Sequence, residues 1–296
     1  MKLGIISPSA PSTHSEQRMG QFDAGLKTLE SLGFQCQLSP HAKDSLSYIS
    51  ASIADRLSDI HQMYKDKSID AILAANGGWN SSHLLNGIDW KIISANPKPL
   101  IGFSDISVLL NAIYEKTGIV QFHGPMVTWG FYENDKITND SFTSVMKKKE
   151  QEFTMDSFGS FLKGRRLSSG LVGGNLVSVR NLLGTPFQPD FYGKIFFWEE
   201  TEETLYDLDR ELTHYKNAGV WSQISGMIIG HLESIDNEFA GKKIDVMDMM
   251  PDHFKEYNFP ILKTDLFGHN TGKNITLPIG GTVIADKQEG KVSIKP

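Results

Sequence analysis

The chain of 296 residues has one cysteine, Cys36, so no internal disulfide can form and no thiol cluster can hold a metal. That usage fits a reducing compartment, and the cytoplasm is the expected location. No apolar run approaches membrane-spanning length: at the N-terminus four residues, Leu3 to Ile6, are followed at once by Ser7 and Pro8, too few for a secretory core. Positive charge is also scarce. Lys and Arg number 29 against 35 Asp and Glu, for a net charge of -6, and basic residues cluster only at Lys147-Lys148-Lys149 and Arg165-Arg166. Such short clusters are solvated faces rather than a stripe that tracks phosphates, so neither a membrane nor a nucleic acid polymer is expected as a partner.

Cofactor signatures are missing too. No G-x-G-x-x-G or G-x-x-x-x-G-K spacing occurs, which disfavours dinucleotide-dependent reductases and triphosphate cradles. The nine histidines show no H-x-x-x-H or H-x-H spacing, and His253 with Glu256 is one isolated pair, so no catalytic metal is expected.

What is present is an ordinary globular composition, 40% hydrophobic, at a length that suggests about two domains. Strand and helix patterns alternate through the first half: a buried strand at 2–6, a helix at 16–32 closed by Gly33, a strand at 34–38, a helix at 51–66, a strand at 71–75, a short helix at 82–87 and a strand at 100–103. This alternation predicts an α/β unit with a parallel sheet over residues 1–145. The pattern weakens after Glu133, and 146–166 reads as an irregular linker broken by Gly159 and Gly164. Residues 167–296 mix strands and helices less regularly. They end in a predicted hairpin, 282–285 with 291–294, around Gly290.

Three places can carry chemistry. Leu100 to Phe103 is a short apolar run that stops at Ser104 and changes to helical periodicity, the strand-turn-helix junction where ligand crevices form in parallel sheets. Ser104 there is either a nucleophile or only the cap of the helix that follows. The strand Ile195 to Trp198 runs into Glu199 and Glu200, acids at a strand end or else a solvated acidic turn with Glu202 and Glu203. His269 stands on a glycine-punctuated loop, Asp265 to Gly272, from which a histidine can swing toward a nucleophile. His14, His41, His61, His83 and His214 read as surface or helix histidines, and His123, before Gly124 and Pro125, reads as a structural hydrogen-bonder or a ligand. The turn Asn76-Gly77-Gly78 and the N–H of Asp105 are two backbone donors that together can make an oxyanion hole.

Taken in order, Asn76-Gly77-Gly78-Trp79-Asn80-Ser81, Gly102-Phe103-Ser104-Asp105, His123-Gly124-Pro125-Met126, Gly173-Gly174-Asn175-Leu176, Trp198-Glu199-Glu200 with Tyr206 to Arg210, and Phe267-Gly268-His269 with Leu277 to Gly280 form a set that spans nearly the whole chain. The set resembles the serine peptidase family of LD-carboxypeptidases and microcin C immunity proteins. The resemblance implies a Rossmann-like N-terminal domain, a smaller mixed β/α C-terminal domain and an active site between them. It implies Ser104 as nucleophile, His269 as general base, Glu199 as the carboxylate that orients the histidine, and the N–H groups of Gly78 and Asp105 as the oxyanion hole.

The implied reaction cuts a peptide-like amide through an acyl-enzyme. The implied substrate is a murein tetrapeptide ending in D-alanine or a peptidyl or aminoacyl nucleotide, and the implied assembly is a homodimer. The turn at 76–81 looks more like the immunity branch. Trp129, Phe131 and Tyr132 are candidate platforms for a base, and the block at 206–210, with Asp207 where the family often has a cation, is expected to alter the pocket. A peptide- or sugar-binding module that uses the same cleft without chemistry is the alternative.

Overall fold

The computed structural model describes residues 1–235, 238, 239, 241–270 and 272–296. The first half alternates as its pattern predicts: β1 (Lys2–Ile6), α1 (Glu16–Ser31), β2 (Gln35–Leu38), α2 (Ile53–Lys65), β3 (Ala71–Ala74), α3 (Trp90–Ala95), β4 (Leu100–Gly102), α4 (Ser107–Thr117), β5 (Gln121–His123) and α5 (Lys136–Met146). Helix starts carry the expected side-chain caps. Ser15, Ser52, Asp89 and Asp135 each accept from a backbone N–H in the first turn of the helix they precede.

The second half follows with β6 (Gln151–Thr154), α6 (Met155–Phe158), β7 (Ser160–Lys163), β8 (Arg166–Asn175), α7 (Leu176–Arg180), β9 (Ile195–Thr201), α8 (Leu205–Asn217) and β10 (Gly226–Glu233). It closes with the short pair β11 (Glu238–Phe239) and β12 (Lys242–Lys243), then α9 (Val246–Phe254), β13 (Ile261–Lys263), β14 (Leu277–Ile279), β15 (Thr282–Asp286) and β16 (Lys291–Lys295).

Two large sheets organise these elements. The first has the order β14-β5-β4-β3-β1-β2 and is parallel except for β14, which pairs antiparallel with β5. The order 2-1-3-4-5 within it is that of a doubly wound sheet whose ligand crevice opens at the carboxyl ends of the strands. The second sheet, β6-β16-β15-β8-β9-β10-β13-β7, has four parallel strands, β8, β9, β10 and β13, flanked by antiparallel ones. The hairpin predicted around Gly290 is β15 and β16.

Two features differ from the sequence expectation. Residues 146–166 are not an irregular linker. They include β6 and β7, the two edge strands of the second sheet, whose short, half-exposed runs carry too little apolar alternation to read as strands. The second half of the chain also returns β14 to the edge of the first sheet, so the two halves share backbone hydrogen bonds.

The second sheet's central strand buries both faces. On β9, Ile195 and Phe197 join the same core as Leu109 and Ile113 of α4, whereas Phe196 and Trp198 join a second core with Leu208, Tyr215 and Trp221. Within the sheet, Gly173 of β8, at φ +137°, has no room for a side chain beside its paired strand β9: a Cβ there would lie 1.9 Å from the Phe197 carbonyl oxygen. Gly173→Ala is expected to lower stability in urea denaturation by about 2–4 kcal/mol. Gly20, exposed in α1 with nothing within 4 Å of an added Cβ, is the converse, and Gly20→Ala should raise stability by about 0.5–1 kcal/mol.

Candidate active site

Strand β4 ends at Gly102, where the backbone passes so close to Ala74 and Ile106 that a Cβ would lie 3.1 and 2.9 Å from their side chains. The chain then turns through Ser104 at φ 60°, a left-handed conformation that costs a non-glycine residue energy. Ser104 opens a single 3₁₀ turn, Ser104–Ile106, that leads into α4. The cap positions belong to Phe103 and Ile106, neither of which bonds the helix through its side chain, so capping is not what Ser104 does. The β3 loop passes directly against it. A Cβ at Gly77 would sit 3.2 Å from Ser104 Oγ.

Asp105 ties the surrounding loops together. Its carboxylate accepts from Ser9 Oγ in the loop after β1 and from the Ser81 N–H at 2.8 Å, and its carbonyl accepts from Ser81 Oγ at 2.7 Å. Arg56, only 1% exposed, reaches from α2 to donate to Asn80 Oδ1 at 2.7 Å and to the Pro8 carbonyl at 2.9 Å. Gly78 lies between these anchors at φ +146°, with Ser9 Oγ only 2.4 Å from where a Cβ would be.

The two acids are not a solvated turn. Strand β9 continues through Thr201, and Glu199 and Glu200 are both buried within it. Side chains alternate along a strand, so the two point to opposite faces: Glu199 follows Phe197, on the face that packs on α4, and Glu200 follows Trp198 on the other. Glu200 accepts from Asn175 Nδ2 at 2.7 Å and from the Val177 and Thr201 N–H groups at 2.9 and 3.0 Å. Burial, with the Glu199 charge next to it, pushes its carboxyl up to about 8, so it is protonated at neutral pH.

His269 Nδ1 meets Glu199 Oε2 at 2.6 Å. The approach depends on Gly268, at φ +114°, where a Cβ would lie 2.9 Å from that of Glu199. The loop is held in place, not poised to swing. The Phe267 carbonyl accepts from the His231 N–H at 2.9 Å, the Leu266 carbonyl from the Ile275 N–H at 2.8 Å, and Asn270 Nδ2 donates to the Asp265 carbonyl at 3.0 Å. Burial opposes both charges of the pair, raising the carboxyl's pKa and lowering the imidazole's, but their mutual attraction and hydrogen bond outweigh it. The Glu199 carboxyl stays below its ordinary range and the His269 imidazole above its own.

Ser104, Asp105, Gly78, Glu200 and His269 line one cleft of about 490 Å³ at the carboxyl ends of the first sheet's strands. A hollow of about 570 Å³, lined by Met1, Asp70, Lys98 and Val120, lies at the opposite ends, away from this cluster. Among the described residues no group of three or more His, Cys, Asp or Glu side chains is arranged to hold a metal. Of the three aromatic candidates, Trp129 lines the cleft with its ring 5.9 Å from that of His269. Phe131 is instead wholly buried against Phe142, and Tyr132 lies outside the cleft lining. Asp207 also stays out of the lining, and its N–H instead donates to Thr204 Oγ1 at the start of α8.

Sequence reasoning missed Asn175, which holds Glu200, and Trp79, 79% exposed at the cleft mouth beside Gly78. The Gly173-Gly174-Asn175 run and the turn tryptophan were the available signals. Replacing Glu199 by Gln removes the main charge that holds the imidazole up and leaves burial opposed only by the weaker influence of Glu200 and Glu202. In an NMR titration the His269 midpoint is therefore expected above the ordinary imidazole value in the native protein and clearly lower in Glu199→Gln.

The chain is similar to known proteins over nearly its whole length. Family models described as the LD-carboxypeptidase N-terminal domain and C-terminal domain match residues 3–124 and 168–284. The probable murein peptide carboxypeptidase of Bacillus subtilis is 30% identical over 97% of this chain and 89% of its own length. The microcin C7 self-immunity protein MccF of Escherichia coli is 26% identical over 99% and 93%. The solved structure of MccF in complex with glutamyl sulfamoyl guanosine superposes with a TM-score of 0.90 at 25% identity, covering 100% of this chain and 96% of that one. With both halves matched in order, the chain belongs to the serine peptidase family of LD-carboxypeptidases.

Proposed function

We propose that Ser104, His269 and Glu199 form a catalytic triad that hydrolyses an amide of a small peptide or peptidyl nucleotide. The observation that carries this reading is the 2.6 Å contact between His269 Nδ1 and Glu199, buried behind the cleft that His269 lines together with Ser104, which is held at φ 60°. A serine hydroxyl is a poor nucleophile until a base takes its proton. His269 Nε2 removes that proton as Oγ attacks the carbonyl carbon, and Glu199 stabilises the imidazolium that forms. The tetrahedral oxyanion is met by the backbone N–H groups of Gly78 and Asp105, whose loops are braced by Ser9, Ser81 and Arg56 before substrate arrives. Collapse gives the acyl-enzyme and expels the amine, which takes the proton from His269. Water then repeats the sequence to free the acid.

The resemblance of the 76–81 turn to the immunity branch carries little about substrate. Asn80 and Ser81 are buried and spent on Arg56 and Asp105, whereas Asn76, Gly77, Gly78 and Trp79 line the cleft. Two substrate classes therefore fit: a murein tetrapeptide ending in D-alanine, and an aminoacyl sulfamoyl nucleoside. A cytoplasmic homodimer completes the reading. No helix among the described residues is long and apolar enough to cross a membrane.

Product analysis by mass spectrometry with both substrates offered in parallel tests the proposal. One of them is expected to turn over, with loss of D-alanine or release of the sulfamoyl nucleoside, and Ser104→Ala should lower kcat by about 10⁴-fold or more while the fold persists. Full turnover in Ser104→Ala would remove the nucleophile. Measurable affinity without any Ser104-dependent product would instead make the cleft a binding module.

A further inference from the structure

His269 engages only one oxygen of Glu199. The other, Oε1, is buried without a hydrogen-bond partner, and 4.0 Å away lies Nε2 of His123, which is also wholly buried. Neither ring nitrogen of His123 has a partner. Its ring is boxed edge-on by Phe197 at 5.3 Å and by Phe103 and Phe267, each at 5.9 Å, so it has little freedom to turn elsewhere.

We propose that His123 is a positioning residue for the triad, its Nε2–H holding Oε1 of Glu199 while His269 holds Oε2. This inference rests on the triad reading above.

Three physical points support it. A buried carboxylate is costly unless both oxygens are satisfied, and Oε1 faces this imidazole. A movement of about 1 Å turns the 4.0 Å separation into an ordinary hydrogen bond. Burial, aided by the His269 charge and opposed by that of Glu199, pushes the His123 imidazole down to about 4, so near neutrality it carries one proton and, with that proton on Nε2, is a neutral donor toward Glu199. A neutral donor fixes the carboxylate plane without competing with His269 for the catalytic proton. The other acids that act on His269 are Glu200, which faces the opposite side of β9 and is itself protonated near neutrality, Glu202, just past the end of β9, and Glu233, at the end of β10.

Phosphonylation of Ser104 by a fluorophosphonate, followed against pH by intact-protein mass spectrometry, measures activation of the nucleophile without needing the natural substrate. His123→Phe keeps a ring in the aromatic box but loses the donor, and His123→Gln places an amide N–H near the position of Nε2. Labelling by His123→Phe is expected to slow about tenfold or more, with the acid limb of the profile moved to higher pH because the unsupported carboxylate holds its partner's proton more tightly. His123→Gln should restore much of the rate and the limb. In the unmodified protein, ¹⁵N NMR of histidine should show His123 neutral with its proton on Nε2.

A Phe variant that labels at the native rate with an unmoved limb, or a His123 protonated at Nδ1, would overturn the role of His123 and leave the triad standing. A native protein that is not labelled at Ser104 would overturn both.

Discussion

The charge on Glu199 is the constraint around which the site is arranged. An ionised carboxylate at zero exposure in the middle of a sheet is unfavourable by several kcal/mol unless a partner compensates it. The compensation comes from His269, at 2.6 Å, on a loop that lies outside regular structure and is anchored to β10 through the His231 N–H. The glycine at 268, the anchoring carbonyls at 266 and 267 and the return of the chain through β14 to the first sheet all serve to bring that imidazole onto that oxygen. Burial makes the pair strong for the same reason that it makes either member alone expensive, so the loop and the strand define each other's position.

The Ser104 side is built differently, from hydrogen bonds between loops that centre on the Asp105 carboxylate and the Arg56 guanidinium. Three loops at the carboxyl ends of β1, β3 and β4 converge on Asp105, and Arg56 clamps the first two from behind. Their rigidity comes from buried polar pairs rather than from a packed apolar core. This suits a surface that must leave N–H groups facing a reacting carbonyl. The left-handed turn at Ser104 is held by the same network. Strain at one residue is tolerated where its neighbours are over-determined.

Much of this was legible in the sequence. Period and punctuation located the βα units, because a buried parallel strand and an amphipathic helix leave different repeats. The junction at Ser104 and the loop at His269 were visible as changes of pattern. Three things were not. The carboxylates were placed after a strand that in fact contains them, because two adjacent acids look solvated until the strand is known to be covered on both faces. The edge strands of 146–166 carried no usable alternation, since half-exposed pairing leaves little hydrophobic signature. The buried pairs, Arg56 with Asn80 and His123 beside Glu199, join residues far apart in the chain, and no local pattern reports a contact of that kind.

Glu199 and Glu200 show how one strand supports two protonation states. They are neighbours in sequence and both buried, but alternation gives one an imidazolium partner and the other neutral amides, which separates their pKa values in opposite directions. The consequences for stability are opposed as well. Glu199, held below its ordinary value, contributes stability above the unfolded carboxyl pKa that is lost as pH falls through its folded one. His269, held above its ordinary value, contributes stability that is complete below the unfolded imidazole pKa and is lost as pH rises. Glu200, raised to about 8, binds a proton in the folded state that the unfolded chain has already released, so it too weakens the fold as pH rises from the ordinary carboxyl range toward 8. The proposed triad, however, needs His269 unprotonated to accept the serine proton. On that proposal the site works on the alkaline side of the range in which it contributes most to stability, and the buried network around Asp105 and the three apolar cores supply the difference.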